Sequence, residues 1–303
     1  MCRIHRFILA LKMCFSHFVK ARSILTKDNN MPQLNLTSRL AASPLILLVL
    51  IALVLQGCFH DDDDPAPVPV PDATPAGYYT NTGTATVSDG GSSTISIGDL
   101  QAIVHGSQIM MMSVANELLY DGTITSIDGN DYTAEFTIYK DGVSTTTATV
   151  AGQITTGASI TGTLTGSGFG SGVFSLLYAT TNGEVASLAR VENTTNATWG
   201  ATIGGAAAIE DFEFIIDAAG DAGDDANTPQ GLFHTCIIDF GSTISPIIGT
   251  NFYETSFLIG CPGVVAHEGD YSGLATTRSD AATDDTLVLM MNTTTHSFSG
   301  DFK

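Results

Sequence analysis

Basic side chains are scarce in this chain. Its 303 residues include 11 Lys and Arg against 31 Asp and Glu, a formal charge of −20. Seven of the eleven lie before residue 58, so the remainder sets four bases against thirty acids. A surface this poor in cations has little with which to neutralise phosphates, which argues against nucleic-acid binding. It also offers no basic patch to an anionic bilayer. A Gly-X-Ser-X-Gly elbow, a His-Glu-X-X-His helix and a phosphate-cradling glycine loop are all missing. No catalytic residue, metal or cofactor is therefore assigned. Apolar residues are plentiful by contrast: 44% of the chain is hydrophobic, too much for a wholly disordered protein.

Long apolar runs are also few. Leu45 to Leu55 holds eleven uncharged residues, which rise about 16 Å as a helix and fall short of a ~30 Å bilayer core. With Arg39 as a positive flank, the run reads as the apolar part of a signal peptide over residues 1–57. Met31 reads as the true start. The run ends in Leu55-Gln56-Gly57-Cys58, which resembles the lipobox of bacterial lipoproteins. That resemblance implies cleavage before Cys58, acylation of its thiol and a lipid-anchored mature chain. Several acyl chains on one residue anchor stably where one is marginal. Phe59, standing where Asp would favour inner-membrane retention in that family, implies the outer membrane of a Gram-negative cell.

Residues 58–76 read as a flexible tether. Asp61 to Asp64 repel one another, and Pro65, Pro67, Pro69, Pro71 and Pro75 forbid a helix or central strand. In polyproline form the tether reaches about 50 Å.

From Gly77 the period is two. Tyr132, Ala134, Phe136 and Ile138 alternate with Asp131, Thr133, Glu135 and Thr137, and Phe174, Leu176 and Tyr178 share a face. Turn signals such as Asp128-Gly129 and Asp141-Gly142 separate about eight such runs before residue 179. Connections so short allow only hairpins. The expected fold is all-β: an antiparallel meander that escapes its edges by closing as a barrel or folding as a sandwich. The glycine cluster at 166–172 reads as a flexible turn. Of Met110, Met111 and Met112, at least one should be buried.

The second half echoes the first. Residues 130–143 lie over 251–264 without a gap, with Tyr132 over Tyr253, Phe136 over Phe257 and Ile138 over Ile259. Thr123 to Ile127 matches Thr243 to Ile247, and Phe174-Ser175 and Tyr178 match Phe298-Ser299 and Phe302. Two tandem β-domains are expected, at 77–183 and 184–303, with Trp199 opening the second. Val185 to Arg190 has room for one helical turn or two.

Once the signal is removed and Cys58 is lipidated, Cys236 and Cys261 remain. An even pair in an exported chain reads as a disulfide in the second domain, with two buried free thiols as the alternative. His105, His234 and His267 show no ligand spacing. The acidic stretch from Asp217 to Asn227 lacks the closing Glu of a calcium loop and reads as a solvated turn.

The run through Cys236, Asn251-Phe252-Tyr253, Cys261, Tyr271 to Thr276 and Leu287-Val288-Leu289 resembles uncharacterised proteobacterial lipoproteins with lipocalin-like β-domains. That resemblance implies a membrane-anchored, non-catalytic binding or scaffolding module of the cell envelope. The membrane is its partner through the N-terminal lipid; any protein or small-molecule ligand is unspecified. An alternative is a surface receptor capturing a host protein or haem, similar to the two-lobed transferrin-binding lipoproteins. A hydrolase is a third.

Overall fold

The computed structural model describes residues 71–81, 85–179, 185–193, 199–201, 212–223, 237–239, 241–260, 268–278 and 286–303. These belong to one compact unit, Pro69–Lys303. The fold is all-β, as the period of two requires, with one short helix among the described residues.

β1 (Gly77–Thr80) and β2 (Ala85–Asp89) run end to end, as do β3 (Thr94–Ile97) and β4 (Gln101–His105). β2 pairs β3 and β1 pairs β4, so the four make one hairpin with a break in each arm. A meander follows: β5 (Gln108–Ser113), β6 (Leu118–Asp128), β7 (Asp131–Lys140), β8 (Val143–Thr155), β9 (Ser159–Gly166) and β10 (Phe169–Tyr178), each antiparallel to the last. β10 returns to β2 through Phe169, Gly172 and Val173 and to β1 through Leu177 and Tyr178. The ten strands are thus eight staves of a closed up-and-down barrel. Of the glycine cluster expected as a turn, Gly170 and Gly172 instead lie within β10, where its register against β2 shifts.

Eight staves enclose a space that side chains just fill. Tyr79, Tyr120, Tyr132, Phe136, Ile138 and Leu176 occupy it, each at most 2% exposed. Phe136 lies opposite Gly122, and Tyr132 opposite Gly152. A Cβ on Gly122 would stand 2.5 Å from the Phe136 ring. The ring thus covers the glycine of the neighbouring strand.

The second sheet repeats this plan. After α1 (Leu188–Val191) come β11 (Trp199–Ala201), β12 (Phe212–Ile216) and β13 (Ala222–Gly223), a three-stranded sheet. β14 (Ile237–Ile238) and β15 (Thr243–Pro246) are two parts of one stave against β16 (Phe252–Gly260). β17 (Gly269–Arg278), β18 (Thr286–Asn292) and β19 (Ser297–Phe302) continue the meander into a curled half-barrel. The small sheet bridges its edges, so that half-barrel and small sheet together make a second, incomplete barrel. Gly200 and Lys303 exchange backbone hydrogen bonds at 3.1 and 2.9 Å, and Ala222 N–H donates to Ser242 O at 2.9 Å.

The segments matched by sequence occupy equivalent staves. Tyr132 opposes Gly152 as Tyr253 opposes Ala275, and Ile124 opposes Ala134 as Ile244 opposes Thr255. Two finer matches slip. A bulge at Thr125 makes Ile127 the counterpart of Pro246 rather than Ile247. Leu176 opposes Ile160 as Phe302 opposes Leu287, so Phe174 corresponds to Gly300 and not to Phe298. A slip of two residues keeps every side chain on its face, which is why a period-two pattern conceals it.

Each barrel is also plugged at the same mouth by the chain entering it. Ala73 N–H donates to Gly129 O at 2.7 Å, and Ala186 N–H to Thr250 O at 2.7 Å. Gly129 and Thr250 lie three residues before the equivalent Tyr132 and Tyr253. On the first stave, Tyr79 Oη donates to Pro75 O at 2.7 Å; its counterpart Trp199 donates Nε1–H to Val191 O at 2.8 Å. Residues 72–75, expected as the end of the tether, are therefore fastened to the first barrel.

The barrels dock side by side. Tyr78, Ile103, Met110, Met112, Leu119 and Tyr139, on the outer wall of the first, pack with Phe252, Leu274, Val288 and Met290 of the second. All three methionines of β5 are buried: Met111 in the barrel, Met110 and Met112 between the barrels. Val143 and His296 form a β-bridge between the two ladders.

Candidate functional site

The row of inward positions Gly122, Phe136, Ala148 and Gly166 crosses four strands, each residue paired with the next. It forms the floor of a trough of about 680 Å³ on the outside of the first barrel. Outward residues build its walls, because neighbouring positions on a strand point to opposite faces. Asp121, Thr137, Thr147 and Ser167 stand on one side. Thr123, Glu135, Thr149 and Thr165 stand on the other and are exposed.

At Asp121 and Thr137 the trough meets a second recess of about 760 Å³ between the barrels. Its far wall carries Glu268, Asp270, Ser272 and Asn292, and the tip of the β18–β19 hairpin adds Thr293, Thr294 and Thr295. Asn292 is the hub. Its Nδ2 donates to Asp121 Oδ2 at 3.0 Å, to Tyr139 Oη at 3.1 Å and to Thr293 O at 3.2 Å. Tyr139 Oη donates in turn to Thr293 O at 2.7 Å. Burial pushes the Asp121 carboxyl above its ordinary range, against hydrogen bonds from Asn292 and Gln108 that favour the ionised form.

The raised Asp121 pKa sets a direction. Just above the ordinary carboxylate range, the folded state holds a proton that the unfolded chain has released, so stability from this group grows as pH falls through its raised pKa. Asp121→Asn should stabilise the protein near neutral pH, with the gain shrinking toward pH 4. Urea unfolding of both proteins across that range checks it; a constant difference would mean the carboxyl is not the titrating cause.

Elsewhere on the dock, Gln101 accepts from Tyr78 Oη, and its Nε2 donates to both Asp301 carboxylate oxygens at 3.2 Å. Asp301 also pairs with Arg278 at 3.4 Å. Near the opposite mouth from the plug, Glu117 and Asp141 share a hydrogen bond that raises the first carboxyl and lowers the second. Lys140 Nζ stands 3.6 Å from Glu117, contacts Asp141 and lies 5.8 Å from the centre of the Phe169 ring. Asp141 adopts the left-handed conformation that its Asp-Gly turn demands. This trio closes two hairpin turns upon one another.

Cys58, Cys236 and Cys261 lie outside the described residues, as do His234 and His267. His105 rests against the Phe252 ring, centres 6.4 Å apart. Asp217 Oδ1 accepts from the N–H groups of Ala219 and Asp221 at 2.8 and 2.9 Å, a tight turn; 224–227 lie outside the described residues. Among the described residues no cluster of His, Cys, Asp and Glu suited to a metal occurs. The trough is not legible in the sequence, because its two walls become neighbours only through strand register. The repeated Thr-X-Thr spacing of β8 and β9 was its one local trace.

Compared with protein-family models, curated proteins and solved structures, the chain finds no match in any of the three.

Proposed function

We propose that this chain is a lipid-anchored, non-catalytic binding module of the bacterial cell envelope, held at the outer membrane through Cys58, and that it takes its ligand on the outside of its barrels. The observation carrying this reading is the continuous recess from the first barrel's wall into the cleft between the barrels. The first barrel's interior is filled by its own aromatic and aliphatic side chains, which leaves no chamber for haem there and weighs against the haem-receptor alternative. Anchoring rests on the lipobox-like Leu55-Gln56-Gly57-Cys58 at the end of an uncharged apolar run. It also suits the entry of the chain at a barrel mouth through residues 72–75.

In membrane extracts of a Gram-negative host, mass spectrometry should find an acylated peptide beginning at Cys58. Cys58→Ser should move the protein into the soluble fraction. A mature N-terminus elsewhere would remove the anchor from this reading.

A single pair, Cys236 and Cys261, is proposed as the disulfide of the second barrel.

A further inference from the structure

We propose that the trough on the first barrel binds a neutral, extended polysaccharide strand, lying across the β-strands with its end in the cleft between the barrels. This rests on the reading of the recess as a binding site and adds the chemistry of what it takes.

Three properties of the recess select the ligand. Among the described residues, neither part of it is lined by a Lys, Arg or His. Phosphate, sulfate and carboxylate polymers would meet the carboxylates of Asp121 and Glu135 with no cation among those residues to offset the repulsion. Second, hydroxyls dominate the walls. Those of Thr123, Thr137, Thr147 and Thr165 make no hydrogen bond within the described residues, so each is free to donate and to accept. A polyol offers both functions on every residue; the side chains of a basic peptide would use only the carboxylates. Third, the walls repeat once per strand, about 4.8 Å. That is close to the length of one pyranose residue in an extended β-linked chain, so successive sugars would meet successive hydroxyl pairs. Glu135 and Asp121 supply the carboxylates that accept paired sugar hydroxyls. The cleft adds the Asn292 amide, whose Nδ2 is committed to Asp121, Tyr139 and Thr293 while its Oδ1 takes no donor within the described residues.

The test is titration of the mature protein with three probes: the β-1,4-linked hexamers of glucose and of N-acetylglucosamine, and an oligolysine of similar length. Backbone amide shifts and calorimetry are the readouts. A hexasaccharide should shift Gly122, Phe136, Ala148 and Gly166, and its affinity should be unchanged by salt because no ion pair is involved. Thr123→Val with Thr165→Val should weaken it at least tenfold at unchanged melting temperature. Thr163→Val, on the same threonine-rich face but outside the trough, should bind as the native protein does. Oligolysine shifting these amides while both sugars fail would overturn the polysaccharide and leave the binding site standing. Failure of all three probes to shift the trough, with sugar bound at other residues or not at all, would overturn both. Equal weakening by Thr163→Val and the trough variant would show a diffuse hydroxyl surface and overturn the trough as the site.

Discussion

Met110→Asp is expected to unfold the protein as thoroughly as Met111→Asp. The two residues are neighbours on β5 and point to opposite faces. In a sheet with one wet side, one of them would tolerate charge. Here Met111 sits in the barrel and Met110 against the second barrel, both at 0% exposure. Each substitution forfeits about 2 kcal/mol of apolar burial. Each also buries a carboxylate, and Met110→Asp sets its own directly opposite Asp121. The total should be on the order of 4 kcal/mol, at the far end of what single changes do. Urea unfolding followed by fluorescence reads it. Val288→Asp, reaching the same seam from the other side, should cost as much. Full tolerance of Met110→Asp would mean that the barrels separate in solution. A first barrel produced alone should fail for the same reason, exposing Tyr78, Ile103, Met110, Met112, Leu119 and Tyr139 as one apolar patch.

Peptide mapping without reductant should recover one cross-linked pair, Cys236 with Cys261. Their described neighbours supply the argument. Ile237 pairs Gly260 and Ile238 pairs Ile259. Asp239 N–H donates to Leu258 O at 2.7 Å. Hydrogen-bonded and open pairs alternate along an antiparallel ladder, and the Cα atoms of an open pair stand ~4.5 Å apart. Disulfides accept ~4.4–6.8 Å. In the first barrel the ladder runs on to Leu118 opposite Lys140. Closing 26 residues of chain should contribute about 3.5 kcal/mol. Reduction should then lower the melting temperature by about 10 °C. Two thiols that alkylate fully in unreduced, denatured protein would exclude the bridge.

The alternation of Tyr132 through Ile138 with polar neighbours was enough to place strands, hairpins and the meander. It was enough to pair Tyr132 with Tyr253, because that match spans fourteen residues and leaves no room for a slip. It fails for Phe174, Ser175 and Tyr178, where only three residues carry the match and a slip of two costs nothing in pattern. The seam between the barrels had a trace in the sequence. Ile109 to Met112 and Leu287 to Met291 are uninterrupted apolar runs, the mark of strands covered on both faces. The polar contacts around it had none. Asp121 and Asn292 are 171 residues apart, Gln101 and Asp301 200 apart. Only the docked barrels bring them within reach.

The seam is not self-complementary. The first barrel offers its outer wall at β1 and β4 to β7, while the second answers with β16 to β18, whose counterparts in the first are β7 to β9. Such a contact joins unlike faces, head to tail, and has no internal limit: a third barrel could add to the second, and a filament could follow. The chain stops this at both ends. Where the second barrel presents Phe252, Leu274, Val288 and Met290, the ladder puts Asp131, Ala151, Thr161 and Thr163 on the first. Where the first presents Met110 and Tyr139, the second has Gly223 and Gly260. The polar trough wall belongs to that same unsticky end. A surface that looks featureless beside the apolar seam thus keeps a head-to-tail pair from becoming a polymer.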